Sequence, residues 1–129
     1  IKQEAEIYVR QGVTQIILSD KNVSKENYPV PMLLCIGAVH THLTKMKLRG
    51  YVSINVQTGE ALDTHSFATL IGVGATTVNP YLALDSIYQR FEKKLFGKFL
   101  YEECVERYVK SVNLGLLKIM SKMGISVLS

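Results

Sequence analysis

The sequence predicts an α/β fold: a small parallel β-sheet of about three strands, built from β-α-β units, flanked by helices and closed by a long C-terminal helical segment. Three observations carry this reading. Residues 51–84, YVSINVQTGEALDTHSFATLIGVGATTVNPYLAL, pass from strand to turn, helix, strand and helix again. Residues 13–18, VTQIIL, supply a compact apolar strand upstream. From Tyr101 to Met123 apolar residues recur at three- and four-residue steps, the period of an amphipathic helix. With 129 residues, 47% of them apolar, the chain is long enough for one domain with a real core.

Taken in order, residues 1–11 form a helix with Ile1, Ala5, Tyr8 and Val9 on one side, and Gly12 stops it. The strand at 13–18 ends at Ser19-Asp20, and a polar loop runs to Tyr28. Pro31 suits the first turn of the next helix, which extends to about Lys47. In that helix Leu33, Leu34, Gly37, Ala38, Thr41 and Met46 suggest a buried element with a patch of small residues. The second strand places Val52, Ile54 and Val56 on one phase, and Thr58-Gly59-Glu60 breaks it with turn chemistry. A short helix over 65–71, capped by Asp63 or Thr64, stops at Gly72 and Gly74. The third strand, 75–78, leads to Asn79-Pro80, an N-cap followed by a first-turn proline. The next helix runs to about Leu95 and is interrupted at Gly97; Asn113 and Gly115 are positions where the last helix splits or bends. Residues 125–128 have the apolar look of a strand just beginning.

The bulk numbers exclude several classes. The net charge of +4 is spread among acids, without the dense Lys/Arg stripe of a nucleic-acid footprint, so no nucleic-acid partner is expected. No apolar run approaches the ~20 residues of a membrane span, and no membrane partner is expected. The two cysteines, Cys35 and Cys104, are far apart and form no CxxC or zinc pattern; they read as reduced thiols of a cytoplasmic protein. The N-terminal residues carry acids, lack the apolar core of a signal peptide and lack an initiator Met, which suggests an excised or processed piece.

Parallel α/β sheets present their sites at the C-terminal ends of the strands. Here that edge carries Asp20, Glu60 and Asn79. Asp20 and Glu60 could act as paired carboxylates; the plainer reading makes all three helix caps or turns. His40 and His42, two apart on a helix, point to different faces and cannot grip one ion, so no metal site is expected. Gly72-Val73-Gly74 precedes a strand and fails the dinucleotide fingerprint, and no phosphate loop or GxSxG elbow is present.

The wording of the chain says more than its pattern. Thr58-Gly59-Glu60-Ala61, His65, Phe67-Ala68, Gly72, Gly74-Ala75 and Val78-Asn79-Pro80-Tyr81-Leu82-Ala83 are phrased like one family's domain. So are Leu18-Ser19-Asp20, Val30-Pro31 and Ala38-Val39-His40-Thr41-His42-Leu43 upstream, and Tyr108-Val109-Lys110-Ser111-Val112 and the run GLLKIMSKMGIS from Gly115 downstream. In these motifs the sequence resembles the later part of the central domain of the glutamate synthase large subunit, running into the start of its FMN-binding domain. It departs from the family at Gln57, at Leu62-Asp63-Thr64, at Ser66 and at His40-Thr41-His42, where an acid, a charged run, a histidine and a His-His-His are usual.

The resemblance implies residues 1–98 as a partial central domain and 99–129 as a helical lead-in to an FMN-binding barrel that is absent. It implies an enzyme family making two glutamates from glutamine and 2-oxoglutarate with reductant. In that family FMN and an iron–sulfur cluster serve the full-length protein; for this chain alone no cofactor is expected, although Met123, Gly124 and Ser126 would approach FMN in a complete enzyme. The expected role is a fragment or remnant with a structural function and no turnover alone, lacking the amidotransferase cysteine, the barrel and the cluster ligands. Its partners would be the remaining glutamate synthase domains, or a second copy, covering apolar surface left exposed by so small a sheet. The alternative is a stand-alone module binding a small ligand or protein at the strand-end edge.

Overall fold

A computed structural model of the chain describes residues 1–26 and 28–128. Asn27, within the loop expected to reach Tyr28, and Ser129, at the end of the 99–129 segment, lie outside the described residues. The element order is α1 (Lys2–Arg10), β1 (Gln15–Ser19), α2 (Met32–Lys45), a 3₁₀ turn (Arg49–Tyr51), β2 (Ser53–Gln57), α3 (Thr64–Gly72), β3 (Thr77–Asn79), α4 (Tyr81–Glu92) and α5 (Tyr101–Met123). The three strands form one parallel sheet in the order β1-β2-β3. This is the predicted α/β class, with sequence order and spatial order the same.

Register fixes which side chains share a face. Ile16 pairs with Ile54, Leu18 with Val56, and Val56 with Val78. Strand side chains alternate, so Ile16, Leu18, Ile54, Val56 and Val78 line the inner face. There they meet Ile36, Val39 and Leu43 of α2 and Phe67 and Leu70 of α3. Ile36, Val39, Leu43 and Ile54 are completely buried; each such side chain contributes roughly 1.5–3 kcal/mol. The opposite face carries Ser19, Asn55, Gln57 and Thr77. Ser19 Oγ donates to Gln57 Oε1 (2.8 Å) and Thr77 Oγ1 to Asn55 Oδ1 (2.8 Å). Parallel sheets usually have both faces covered; here the outward face is polar around Ile17, which is 69% exposed.

Several local expectations change. In α1 only Ala5 and Val9 are buried, while Ile1 and Tyr8 are exposed. The buried face of α2 is Met32, Ile36, Val39 and Leu43, and the residues expected inside, among them Leu33, Leu34 and Met46, face outward. The sheet selects the stripe at three- and four-residue spacing that begins at Met32, and the small residues follow the other face. Pro31 and Pro80 occupy the N-cap positions of α2 and α4, and Asn79 is the last residue of β3 rather than a cap. α4 ends at Glu92, with Lys94 in the left-handed region at φ 56°. Asn113 and Gly115 leave α5 unbroken for 23 residues, up to a left-handed Gly124. Residues 125–128 are exposed and belong to no strand.

The intact helix α5 has a physical reason. A Cβ on Gly115 would lie 2.6 Å from Thr64 Cγ2 and 2.8 Å from its Oγ1. Glycine here permits close approach of α5 to the start of α3, which brings Val112 into the main core with Tyr108 and Leu116 against it. The N-terminal end of α5 is held by Glu103, whose carboxylate accepts the Leu100 N–H at 2.9 Å.

Candidate functional site

The C-terminal ends of the three strands do meet along one edge, and Thr58 is at its centre. Thr58 is fully buried. Its N–H donates to the Asn79 carbonyl (3.0 Å), tying β2 to the end of β3. Its hydroxyl donates to Asp20 Oδ2 (2.5 Å) and accepts the Glu60 N–H (3.1 Å). The Asp20 carboxylate also accepts the Gly59 N–H, at 3.2 Å to each oxygen. Asp20 therefore staples the end of β1 to the turn after β2.

Glu60 is used elsewhere. Both of its carboxylate oxygens accept the Met32 N–H (3.1 and 3.2 Å). The proline N-cap of α2 offers no side-chain acceptor, so a residue 28 positions away caps the helix and places negative charge at its positive end. The edge thus brings Asp20 and Glu60 onto one turn, but sends their carboxylates to different donors. Asn79 contributes its backbone carbonyl. Asp63 caps α3: Oδ1 accepts both the Ser66 N–H and its hydroxyl, each at 2.7 Å, and these bonds hold the Asp63 carboxyl below its ordinary range.

Sequence reasoning missed three participants. Tyr81 packs its hydroxyl over Gly59; burial first, then hydrogen bonding to Asp20, push its pKa up. The Lys21 ammonium sits 5.7 Å from the Tyr81 ring centroid. At the opposite end of the sheet Arg49 donates to the Val52 carbonyl (2.6 Å), the Gly74 carbonyl (2.9 Å) and His40 Nδ1 (3.1 Å). Arg49 beside Gly50 carries no local signal of this, because two of its three acceptors, on His40 and Gly74, lie 9 and 25 positions away.

The two histidines go separate ways. His40 meets Arg49, and His42 Nε2 meets Glu6 Oε2 at 2.6 Å. Among the described residues no group of three or more His, Cys, Asp or Glu is placed to hold a metal ion, and no helix is long and apolar enough to cross a membrane. A cavity of about 440 Å³ lies between α1, β1 and the loop before α2, with Asp20 and Cys35 in its wall. Burial pushes the Cys35 thiol up, the opposite of what an activated nucleophile needs. Met123, Gly124 and Ser126 lie at the end of α5 and just beyond it, and all three are exposed.

The family signature covers all of this architecture. The family described as "Glutamate synthase central domain" matches residues 1–129. The chain belongs to the glutamate synthase central-domain family. It is 53% identical over 129 residues to the glutamate synthase (NADPH) large chain of Azospirillum brasilense and 46% identical over 123 residues to that of Bacillus subtilis. It is 43% identical over 138 aligned residues to the chloroplastic ferredoxin-dependent glutamate synthase of Spinacia oleracea. These alignments take in 100%, 95% and 98% of this chain and 8% of each relative. The central-domain match includes α5 and the residues after it along with the sheet. Gln57 pairs with Ser19, and Ser66 completes the α3 cap of this glutamate synthase domain.

Proposed function

We propose that this chain is a scaffolding domain of a glutamate synthase large subunit, holding neighbouring domains in place without turnover of its own. The observation that carries the reading is the whole-chain match to the central domain of proteins about twelve times longer, from the 8% of each that the chain spans. The side chains agree with it. The carboxylates of the strand-end edge are committed to structural donors, Thr58 and Gly59 for Asp20 and Met32 for Glu60, and apolar side chains such as Leu114 and Leu117 of α5 are 58% and 60% exposed.

In this reading the longer, cytoplasmic protein converts glutamine and 2-oxoglutarate with reductant into two glutamates. Its FMN and iron–sulfur cluster belong to the remaining domains, which are also the partners of this one. Residues 1–98 form the α/β part and 99–129 lead towards the flavin domain. Met123, Gly124 and Ser126 meet FMN only if that domain completes the surface around them.

Gel filtration of the 129-residue chain with excess FMN tests the reading. The protein peak is expected to carry no flavin absorbance; flavin co-eluting near one equivalent overturns the assignment. A second reading, a small ligand at the strand-end edge, has one observation in its favour: Asp20 lines the 440 Å³ cavity. Glutamine, glutamate and 2-oxoglutarate are expected to leave the thermal midpoint of the chain unchanged, and a saturable rise with any of them would favour that second reading.

A further inference from the structure

We propose that the connection between α4 and α5, residues 93–100, is a peripheral membrane-contact site that binds the anionic surface of a lipid bilayer from one side.

The connection reads Lys-Lys-Leu-Phe-Gly-Lys-Phe-Leu: three lysines, four large apolar residues and no acid. Glu92 and Glu102 flank it on the two helices. Leu95, Phe99 and Leu100 are 67%, 44% and 63% exposed, and no residue of the stretch belongs to the hydrophobic core. The three lysines are exposed as well, and among the described residues none of them joins an ion pair. One turn back on α4, Arg90 adds a fourth exposed cation. Single exposed apolar residues are ordinary; here they gather in one short loop and alternate with lysines.

The loop is held out from the domain by its own base. The Tyr101 ring packs edge-on against Tyr88 (centroids 5.6 Å apart) and beside Phe91 (5.9 Å), which clamps the start of α5 to the end of α4. The Lys94 N–H donates to the Phe91 carbonyl (2.8 Å) and the Leu95 N–H to the Arg90 carbonyl (3.1 Å), closing α4 with Lys94 at φ 56°. Gly97 takes a second left-handed position, φ 64°, before α5 begins. The Arg107 guanidinium lies 4.2 Å from the Phe99 ring centroid and orients that ring. Leu95 and Leu100 have no part in the aromatic clamp and stay outside it.

The residue types choose the partner. Protein interfaces are depleted in lysine and gather their apolar anchors in a dry centre within a polar rim. Here lysine is the cation, and it is interleaved with leucine and phenylalanine along the chain. At a bilayer surface that mixture is favourable. Leucine and phenylalanine enter the boundary between headgroups and acyl chains. Lysine stems lie along the apolar layer and carry their ammonium groups to anionic headgroups. Contact of this kind needs no spanning helix, and one short loop gives weak, reversible attachment.

The chain contains no tryptophan, so Leu95→Trp is a single reporter in the 129 residues. Its emission is expected to shift to the blue on adding vesicles of phosphatidylcholine with roughly one-third phosphatidylglycerol, and to stay unchanged with phosphatidylcholine alone. Unchanged emission with the anionic vesicles, or equal shifts with both, overturns the proposal. In co-sedimentation with the anionic vesicles, variants of the longer polypeptide are compared at matched far-UV circular dichroism. Lys93→Glu, Lys94→Glu and Lys98→Glu together are expected to lower the partition coefficient at least about a hundredfold. Leu95→Asn with Phe99→Asn is expected to lower it at least about tenfold. Parent-like binding by either variant overturns the proposal. A shift of the reporter with poly-L-glutamate and none with vesicles assigns the loop to an acidic protein, and overturns it too. Either result leaves the flavin test of the scaffolding reading intact.

Discussion

Gly74 shows how one residue can be fixed by two independent demands. Its φ of +119° lies where side chains are rarely tolerated, and a Cβ there would collide with the His40 ring. Gly74→Ala is expected to destabilise the chain by about 2–4 kcal/mol, through backbone strain and displacement of His40. Urea denaturation should show the midpoint falling with little change in slope. The sequence announced a stop at this glycine but could not name the ring behind it. Thr58 was legible as part of a turn; its link to Asp20 spans 38 positions and has no local trace.

Glu6 makes a second residue-scale prediction. Hydrogen bonds from Arg10, then His42, hold its carboxyl below the ordinary 4.5. Because the folded pKa is the lower one, its stabilisation is present above about pH 4.5 and is lost as pH falls through the depressed value. Glu6→Gln should therefore lose less stability than the parent between about pH 5 and about pH 3, read as the slope of the thermal midpoint against pH.

At the scale of elements, α5 illustrates a misleading local signal. Asn and Gly are poor helix residues, and Gly costs about 1 kcal/mol relative to Ala in a helix interior. Contact with α3 reverses the local advantage of a larger residue. Gly115→Ala is expected to cost about 1–3 kcal/mol through overpacking against Thr64. Thr64→Ala should recover at least about 0.5 kcal/mol of that loss in a double-mutant cycle. The stripe from Tyr101 to Leu116 was readable because periodicity survives without tertiary context. The buried phase of α2 was not, because Leu33, Leu34 and Met46 are as apolar as the residues chosen. Only the facing sheet decides between them.

For the molecule as a whole, the α/β class was readable from strand periodicity and turn chemistry, and the family from wording rather than pattern. The candidate edge was readable as a place: the strand ends do lie together. Its chemistry was not, since hydrogen bonding commits Asp20 and Glu60 to donors that no spacing rule could supply. Exposed apolar side chains on α5 then bear on assembly. Leu114→Glu with Leu117→Glu should change the stability of the 129-residue chain by no more than about 0.5 kcal/mol per site. In the longer polypeptide the same pair should weaken packing between domains, seen as faster limited proteolysis around α5. Equal proteolysis of parent and variant would remove α5 from the interface.

The sheet order β1-β2-β3 has a consequence for synthesis. Each strand pairs with the one translated just before it, and each connecting helix covers ground already laid down. Each pairing still bridges a helical crossover, from Ile16 to Ile54 and from Val56 to Val78, so closing these long loops, rather than making local contacts, sets the pace of sheet formation. As the chain leaves the ribosome, the growing margin of the sheet is always its newest strand, and folding can follow translation.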